Sequence, residues 1–212
     1  MTSTMAFSEI ERVICFTPGT GVATPQGLRP VELLHPGDHV ITRDNGIRTI
    51  CWVGKKTLGA ADTAQNPWLR PVLIRAGAFG DGIPETDIRV SPNHRMLLAN
   101  QLAETMFGER EVLVPAKHLA GLPGVEWPRP AQGVTYVHVM FESHEVLLAG
   151  GTWSESFQPG GEALRGVGAA QRRELLALFP DLETEVGLGA YRSARISLRA
   201  HEARVLLAEI AS

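Results

Sequence analysis

Short runs of β-forming residues, separated by glycine and proline, fill the chain from Val13 to Phe157. Such runs, bounded by turn signals like those at residues 36–38 and 81–84, are typical of strands. Many short strands with frequent turns predict a mainly β fold, as in a sandwich or barrel. Strands are predicted at residues 21–24, 39–42, 48–53, 72–75, 88–91, 96–99, 112–114, 134–141 and 146–149, with a short helix at 116–120.

The sequence changes character after Phe157 and predicts helices. A glycine-rich break, QPGGEALRG, precedes a first helix that Pro180 ends, and Ser197 is the predicted N-cap of the last helix. The apolar stripes of the two helices are formed by Leu175, Leu176 and Phe179 and by Ala203, Leu206, Leu207 and Ile210. Stripes at this spacing usually face a core. We therefore expect the helices to pack as a cap over the β region or to form an oligomer contact.

Composition and charge argue against several classes of protein. The 212 residues carry a net charge of −3 without a basic stripe, which argues against nucleic acid as a partner. The apolar runs are too short to span a membrane, and Glu9 and Glu11 stand where a signal peptide would be apolar. Two cysteines do not form a disulfide framework. A cytoplasmic location is the default expectation, with export by a signal-independent route left open.

The stretch ICFTPGTG places Cys15 at the start of a β segment, directly before a turn. A lone cysteine is more often a small buried apolar residue than a nucleophile. A turn at this place, however, would hold the Ile14–Cys15 peptide under strain, and strained backbone is found at reactive sites. Cys51 lies in an apolar strand beside Trp52 and is expected to be a buried structural residue.

The stretch IRVSPNHRML forms an S-x-x-H pattern on a predicted turn between two strands. Its Ser91 hydroxyl is suited to bind a backbone group, and His94 titrates near neutral pH and is suited to transfer a proton. Both are groups that acyl transfer at a peptide bond requires. The alternative is a turn in which Ser91 and His94 only satisfy backbone groups.

Two further histidines lie in the stretch TYVHVMFESHEVLLAGG, His138 within a strand and His144 in the following turn. A histidine inside an apolar alternation is more often a satisfied core residue than a base. Clustering of histidines with Cys15 would also suit zinc, but no C-x-x-C or H-x-x-x-H spacing is present. We therefore expect neither a metal nor another cofactor.

Together these three stretches resemble the Hint fold of the Hedgehog/intein autoprocessing family, and most closely its bacterial stand-alone branch. CFTPGTGVATPQGLRPVELLHPGDHVIT resembles the family's first block, which opens with a nucleophilic cysteine. IRVSPNHRML resembles its T-x-x-H block, with Ser91 in place of threonine, and YVHVMFESHEVLLAGG resembles the late block before the C-terminal splice junction. The helical tail resembles the extension of the bacterial branch.

The resemblance implies a β-rich, horseshoe-like fold of two pseudo-symmetric halves. It implies a leader at residues 1–12, a Hint-like domain at 13–157 and a helical extension at 158–212. Cys15 would attack the carbonyl carbon of Ile14 and convert the amide to a thioester, since a thiol is nucleophilic near neutral pH. His94 would protonate the departing amine, and Ser91 would hydrogen-bond the scissile peptide. His138 and His144 complete the candidate catalytic set.

The C-terminal block departs from the intein pattern, which ends in His-Asn followed by Ser, Thr or Cys. The corresponding segment reads GGTWSESF, and no asparagine follows Asn100. Cleavage by asparagine cyclisation is therefore excluded, and the resemblance implies chemistry at the Ile14–Cys15 peptide without splicing. The substrate would be the chain's own N-terminal segment, and the acceptor water, an amine or an alcohol. The alternative is a catalytically inactive Hint-fold module that serves as a structural or protein-interaction domain.

Overall fold

Glycine turns divide the β-rich part of the chain into short strands, and local side-chain caps define several helices. Gly27, for example, adopts φ +109° where the hairpin of the first two strands turns, a conformation that favours glycine. The Asn100 side chain accepts a hydrogen bond from Ala103 N at 3.0 Å and thereby begins one helix, which Gly108 ends in the left-handed conformation. The computed structural model describes residues 14–127 and 133–210. The predicted leader, residues 1–12, lies outside the described residues.

The strands and helices of the described residues have the following bounds. The strands are β1 Gly21–Thr24, β2 Gly27–Pro30, β3 His39–Thr42, β4 Gly46–Thr49, β5 Trp52–Leu58, β6 Val72–Ile74, β7 Ile88–Val90, β8 Arg95–Ala99, β9 Glu111–Pro115, β10 Val125–Glu126, β11 Val134–Met140, β12 Val146–Ala149, β13 Thr152–Glu155 and β14 Ile196–Ser197. The α-helices are α1 Ala60–Gln65, α2 Gln101–Phe107, α3 Ala116–Leu119, α4 Gly161–Gly166, α5 Ala169–Leu178, α6 Glu185–Ala190 and α7 Ala200–Ile210. Short 3₁₀ helices lie at Val31–Leu33, Pro67–Leu69 and Pro180–Glu183. The predicted mainly β architecture with a helical C-terminal extension is confirmed.

Three sheets are formed within the described residues. The largest has nine strands in the order β14-β9-β8-β13-β12-β1-β2, and β3 branches from β12 to pair with β4. The smaller sheets have the orders β10-β6-β7 and β11-β5. The pairing of β14 with β9 is parallel, whereas the hairpins and the long β5–β11 ladder are antiparallel.

Phe16 connects the two smaller sheets. It forms isolated antiparallel bridges to Val90, at the end of β7, and to Val137 in β11. Its side chain is 2% exposed and belongs to the main apolar core together with these two valines. The start of the described chain is therefore held between strands that are distant in sequence.

The C-terminal helices pack against the β region. Ala203, Leu206 and Leu207 of α7 belong to the main core. Leu164 of α4 and Leu175 of α5 belong to a second apolar cluster, which also contains Ile14, Trp52, Met140 and Phe157 of the β region. The expected cap over the β region is confirmed, and part of it covers the residue that precedes Cys15.

Two details of the sequence prediction were wrong. The predicted strand at residues 48–53 is two strands, because Ile50 N donates to Asp38 O whereas Cys51 N donates to Met140 O, so that the chain leaves one sheet and joins another. Ser197 is not an N-cap. It lies in β14, which extends the edge of the sheet beside β9, and α7 begins three residues later.

In the part of the chain that the structure describes, no helix has both the length and the apolar character needed to cross a membrane.

Gly54 gives a direct test of the packing around β5. A Cβ atom added there would lie 2.1 Å from the Trp52 ring, and Gly54 pairs with His138 across the β5–β11 ladder. Gly54→Ala should therefore lower the free energy of unfolding by about 1–3 kcal/mol, measured by urea denaturation, because overpacking displaces the buried indole.

Gly21→Ala is the matched control, because its added Cβ would make ordinary contacts of 3.7 Å with Leu28. This variant should change the unfolding free energy by less than about 1 kcal/mol. Equal effects of the two substitutions would contradict the packing of Trp52 against Gly54.

Candidate functional site

Backbone hydrogen bonds fix Cys15 and Phe16 between two other segments of the chain. On one side Phe16 N donates to Val137 O at 3.0 Å and Val137 N donates to Phe16 O at 2.9 Å. On the other side Ser91 N donates to Cys15 O at 2.9 Å. These bonds give Cys15 neighbours that lie 76 residues away on one side and 123 residues away on the other.

The Ile14–Cys15 peptide is contacted at both of its polar atoms. Cys15 N donates to Ser91 Oγ at 3.0 Å, and Ile14 O lies 2.9 Å from His138 Nδ1. The Cys15 Sγ atom lies 3.2 Å from His138 Nδ1 and 3.4 Å from His138 Nε2. Cys15 is 1% exposed and Ile14 9% exposed, so the peptide bond and the thiol are enclosed by protein.

The contact with Ile14 determines the tautomer of His138. A carbonyl oxygen only accepts hydrogen bonds, so Nδ1 carries the hydrogen and donates it to Ile14 O. In the neutral ring Nε2 is then an acceptor, and the Cys15 thiol lies within reach of it. His138 thus offers a donor to the carbonyl oxygen and an acceptor to the thiol.

Aromatic rings surround His138 and keep it neutral. Its ring stacks on Trp52 with centroids 6.0 Å apart and meets the edge of Phe157 at 4.9 Å. Burial among these rings lowers the pKa of His138 to about 4, against the opposing effect of the hydrogen bond to Ile14. At neutral pH the ring is therefore uncharged and available to accept a proton.

The Cys15 thiol is protonated at neutral pH. Burial raises its pKa well above the usual value, and the nearby Lys56 charge and the Ser91 hydroxyl only partly offset this effect. The thiol of the resting site is therefore not ionised, and the role of Cys15 as a nucleophile stays a prediction. Cys51, expected to be buried, is only partly buried.

His94 is enclosed without a hydrogen-bond partner for either ring nitrogen in the described part of the chain. Its backbone N donates to Ser91 O at 3.0 Å, which closes the predicted turn, and its ring meets the edge of Phe16 at a centroid distance of 4.4 Å. Burial lowers the pKa of His94 to about 4. A buried imidazole with unpartnered nitrogens is unusual for a purely structural residue.

His144 contacts a different set of groups. Its Nδ1 accepts a hydrogen bond from Ala194 N at 2.9 Å, and its Nε2 lies 3.2 Å from Glu155 Oε2. Glu155 is fully buried and also pairs with the Arg95 guanidinium at 2.5 Å. Burial opposes ionisation of Glu155, but the Arg95 charge and the hydrogen bond to His144 outweigh it, so the pKa of Glu155 is lowered.

The structure therefore brings Ser91 and His138 to the Ile14–Cys15 peptide, places His94 on the Ser91 turn, and joins His144 to Glu155. Sequence reasoning missed the Glu155–Arg95 pair and the rings of Trp52 and Phe157. A carboxylate in the segment TWSESF, directly after the apolar strand VLLA and its glycine turn, was the available signal for the ion pair. No sequence pattern identified the two aromatic residues as neighbours of His138.

The described residues contain no group of three or more His, Cys, Asp or Glu side chains that could hold a metal ion.

Comparison of the sequence with known families gives one assignment. The family described as Hint domain matches residues 14–161, which begins one residue before Cys15 and includes Ser91, His94, His138 and His144. The chain belongs to the Hint domain family. No curated protein matches the chain.

The solved structures that match the chain include an intein-like domain and an intein. The solution structure of a bacterial intein-like domain from Clostridium thermocellum is 14% identical, with a TM-score of 0.48, and the match covers 68% of this chain and 98% of that one. The crystal structure of an MchDnaB-1 intein is 16% identical, with a TM-score of 0.41, and the match covers 67% of this chain and 99% of that one.

The two neutral histidines, His94 and His138, make the free energy of unfolding depend on pH. Their pKa values of about 4 lie below the unfolded value near 6.5, so the unfolded chain binds more protons between these limits. The stability that depends on burying these rings in their neutral form is complete above pH 6.5 and is lost as the pH falls toward 4. Between pH 7 and pH 5 each histidine should account for a loss of about 2 kcal/mol in unfolding free energy.

Urea denaturation of His94→Gln and His138→Gln at both pH values measures these losses, and each variant should show a smaller pH dependence than wild type. His201→Gln, in the exposed face of α7, is the control and should keep the wild-type dependence. An unchanged pH dependence in both buried-histidine variants would contradict the neutral state of these rings.

Thiol labelling should distinguish the two cysteines. Cys51 is partly exposed, whereas Cys15 is buried and its pKa is raised well above the usual value. An aromatic disulfide reagent should therefore label Cys51 first, and the Cys51→Ala variant should react only slowly until it is unfolded. Equal labelling of folded and urea-unfolded Cys51→Ala would show that Cys15 is accessible.

Proposed function

We propose that this Hint domain cleaves its own Ile14–Cys15 peptide bond by an N-to-S acyl shift, without splicing. The observation that carries the proposal is the set of contacts on this buried peptide. Ser91 Oγ holds the nitrogen, and His138 contacts both the carbonyl oxygen and the thiol of the adjacent residue. Nucleophile and carbonyl in neighbouring residues have the high effective concentration of an intramolecular reaction.

The first step transfers the thiol proton of Cys15 to Nε2 of His138 as sulfur attacks the carbonyl carbon of Ile14. A carbon–sulfur bond forms, and the carbonyl oxygen becomes an oxyanion. The His138 ring, now an imidazolium, donates from Nδ1 to that oxyanion, an interaction that strengthens as charge develops. The 2.9 Å contact at Ile14 O and the 3.4 Å contact at Sγ support both roles for one ring.

The second step breaks the bond between the Ile14 carbon and the Cys15 nitrogen. Ser91 Oγ accepts the N–H of this nitrogen and so orients its lone pair for protonation. We assign His94 the role of proton donor: the neutral His94 ring takes up the proton that His138 received from the thiol, and then donates it to the Cys15 nitrogen, which leaves both histidines neutral. This role is supported by the ring nitrogens of His94, which have no partner within the described residues, and by its backbone bond to Ser91. Proton transfer of this kind contributes about 10²–10⁴-fold in rate.

The product of these steps is a thioester between Ile14 and Cys15 and a free amine at Cys15, with no net change in protons. Hydrolysis or transfer to an acceptor then releases the upstream segment. We further propose that residues 13–157 form the reacting unit, and that residues 158–212 are an extension which shields it. Leu164 and Leu175 pack in the same apolar cluster as Ile14 and support this division.

The C-terminal half of a splicing reaction has no equivalent residues here. Asparagine is absent after Asn100, and Glu155 is held by Arg95 and His144. A carboxylate lacks the amide nitrogen that forms a succinimide. We assign His144 a positioning role: its contact holds the Glu155 carboxylate, whose negative charge favours the protonated form of His94.

Release by thiols tests the proposed reaction. Dithiothreitol added to the folded protein should release the peptide Met1–Ile14 and leave a fragment that begins at Cys15, both identified by intact mass. Cys15→Ala should abolish the release because the nucleophile is lost, whereas Cys51→Ala should release at the wild-type rate. A Cys15-dependent cut near Ser154 would contradict chemistry restricted to the N-terminal peptide.

Substitution of the two histidines separates their roles. His138→Ala should lower the release rate by at least about 10²-fold, because it removes both the base and the oxyanion donor. His94→Ala should lower it by at least about tenfold. His201→Ala is the matched control, and wild-type rates in His138→Ala would remove His138 from the mechanism.

A further inference from the structure

A short segment of the C-terminal extension, residues 191–197, contacts the buried groups around His144. Ala194 N donates a hydrogen bond to His144 Nδ1 at 2.9 Å. A backbone N–H only donates, so this ring nitrogen carries no hydrogen and the ring hydrogen lies on Nε2. Nε2 lies 3.2 Å from Glu155 Oε2 and donates to that carboxylate. This segment, which we call the strap, therefore determines the tautomer of His144.

The strap also contacts the cation that pairs with Glu155. Tyr191 O accepts a hydrogen bond from Gln158 Nε2 at 3.3 Å, and Gln158 Oε1 accepts one from Arg95 Nη2 at 2.6 Å. Arg95 in turn pairs with Glu155. Tyr191 Oη donates to Phe141 O at 3.0 Å, which attaches the beginning of the strap to the β region. Two residues of the strap thus reach the Glu155 carboxylate by separate routes.

Glu155 connects these contacts to the turn that carries His94. Its Oε1 accepts a hydrogen bond from Arg95 N at 2.7 Å, and Arg95 follows His94 directly in the chain. Burial lowers the pKa of His94, and the negative charge of the fully buried Glu155 opposes that effect. The position of this carboxylate therefore affects both the backbone next to His94 and the charge state of its ring.

Arg195 holds the strap on the β region. Its guanidinium donates to both carboxylate oxygens of Asp44, at 3.0 and 2.6 Å, and to Glu111 Oε2 at 2.7 Å. It also donates to Ala194 O at 2.9 Å, and the strand β14 that follows pairs with β9. Bidentate contacts between arginine and carboxylate fix orientation as well as adding energy. The position of the Ala194 N–H therefore depends on an ion pair outside the buried site.

We propose that the strap is a positioning element of the site: held by Arg195, it fixes the tautomer of His144 and thereby the Glu155 carboxylate beside the His94 turn. The extension then does more than shield the reacting peptide, because loss of an ion pair outside the site changes a buried chain of hydrogen bonds. The effect on cleavage rests on the proposed function, whereas the effect on the His144 ring does not.

Nitrogen-15 NMR of the His144 ring tests the tautomer directly. The full chain carrying Cys15→Ala is used, so that cleavage cannot alter the sample, and His144→Gln assigns the signals. A ring nitrogen that bears a hydrogen resonates well apart from one that does not. We expect the hydrogen on Nε2. Arg195→Gln should give a mixture of both tautomers, because the Ala194 N–H is no longer held against Nδ1.

Two further variants locate the effect. Arg192→Gln is the matched control: it removes the same charge from the strap, but its side chain is exposed and lies outside the ion pairs of Arg195, so the wild-type tautomer should remain. Asp44→Asn removes one partner of Arg195 from the turn between β3 and β4 and should act as Arg195→Gln does. The double variant should add little to either single variant, because both break one contact.

Release with dithiothreitol measures the effect of the strap on the reaction. In chains that keep Cys15, Arg195→Gln and Asp44→Asn should lower the release rate by at least about threefold. Arg192→Gln should release at the wild-type rate. Circular dichroism and urea denaturation identify conditions in which every variant is folded, so that the rates do not report unfolding.

Each outcome supports or overturns the inference. A hydrogen on His144 Nδ1, or a tautomer unchanged by Arg195→Gln, would overturn the proposed contact between the strap and the site. A mixed tautomer with an unchanged release rate would overturn the positioning role in the reaction. Absence of release from the wild-type chain would overturn the proposed function, and the ring signals would still decide whether the strap fixes His144.

Discussion

The insertion of residues 14–17 between β7 and β11 is the constraint on which the site depends. Phe16 bridges Val90 on one side and Val137 on the other, and its buried ring belongs to the main core. Backbone ladders of this kind fix a residue much more firmly than a surface loop does, because every displaced bond leaves a buried polar group unsatisfied. The same ladders bring Ser91 and His138 to the Ile14–Cys15 peptide.

Burial determines the electrostatics of this peptide. The enclosed thiol is protonated and the two enclosed imidazoles are neutral, because a low-dielectric environment disfavours every charged form. The thiol and both imidazoles therefore carry no charge in the resting site, and the first charges of the proposed reaction form when a proton moves from sulfur to His138. In the proposed acyl shift this proton stays inside the site and returns to the leaving nitrogen, so that the proposed reaction requires no exchange with solvent. The apolar cover formed by Phe157 and the helices α4 and α5 maintains these conditions.

The sequence predicted much of the β architecture, because strands in which apolar and polar residues alternate, and which end at glycine or proline, can be recognised from the local sequence. It also predicted Cys15, Ser91 and His138 as candidates. The position of Ser197 in a strand could not be predicted, since it depends on the exposed edge of β9. The same holds for the Glu155–Arg95 pair and for the stacking of Trp52 on His138, which arise from contacts between distant segments. The raised pKa of Cys15 depends on enclosure, which residue type alone does not determine.

The proposed reaction exchanges the Ile14 carbonyl between an amide and a thioester of Cys15. Carbon-13 NMR of the folded protein labelled at the Ile14 carbonyl measures this directly, since thioester carbonyls resonate well downfield of amides. We expect a thioester resonance in wild-type protein that is absent from Cys15→Ala and weakened in His138→Ala. An amide resonance alone, unchanged by the Cys15→Ala substitution and accompanied by no release with hydroxylamine, would contradict the proposed acyl shift.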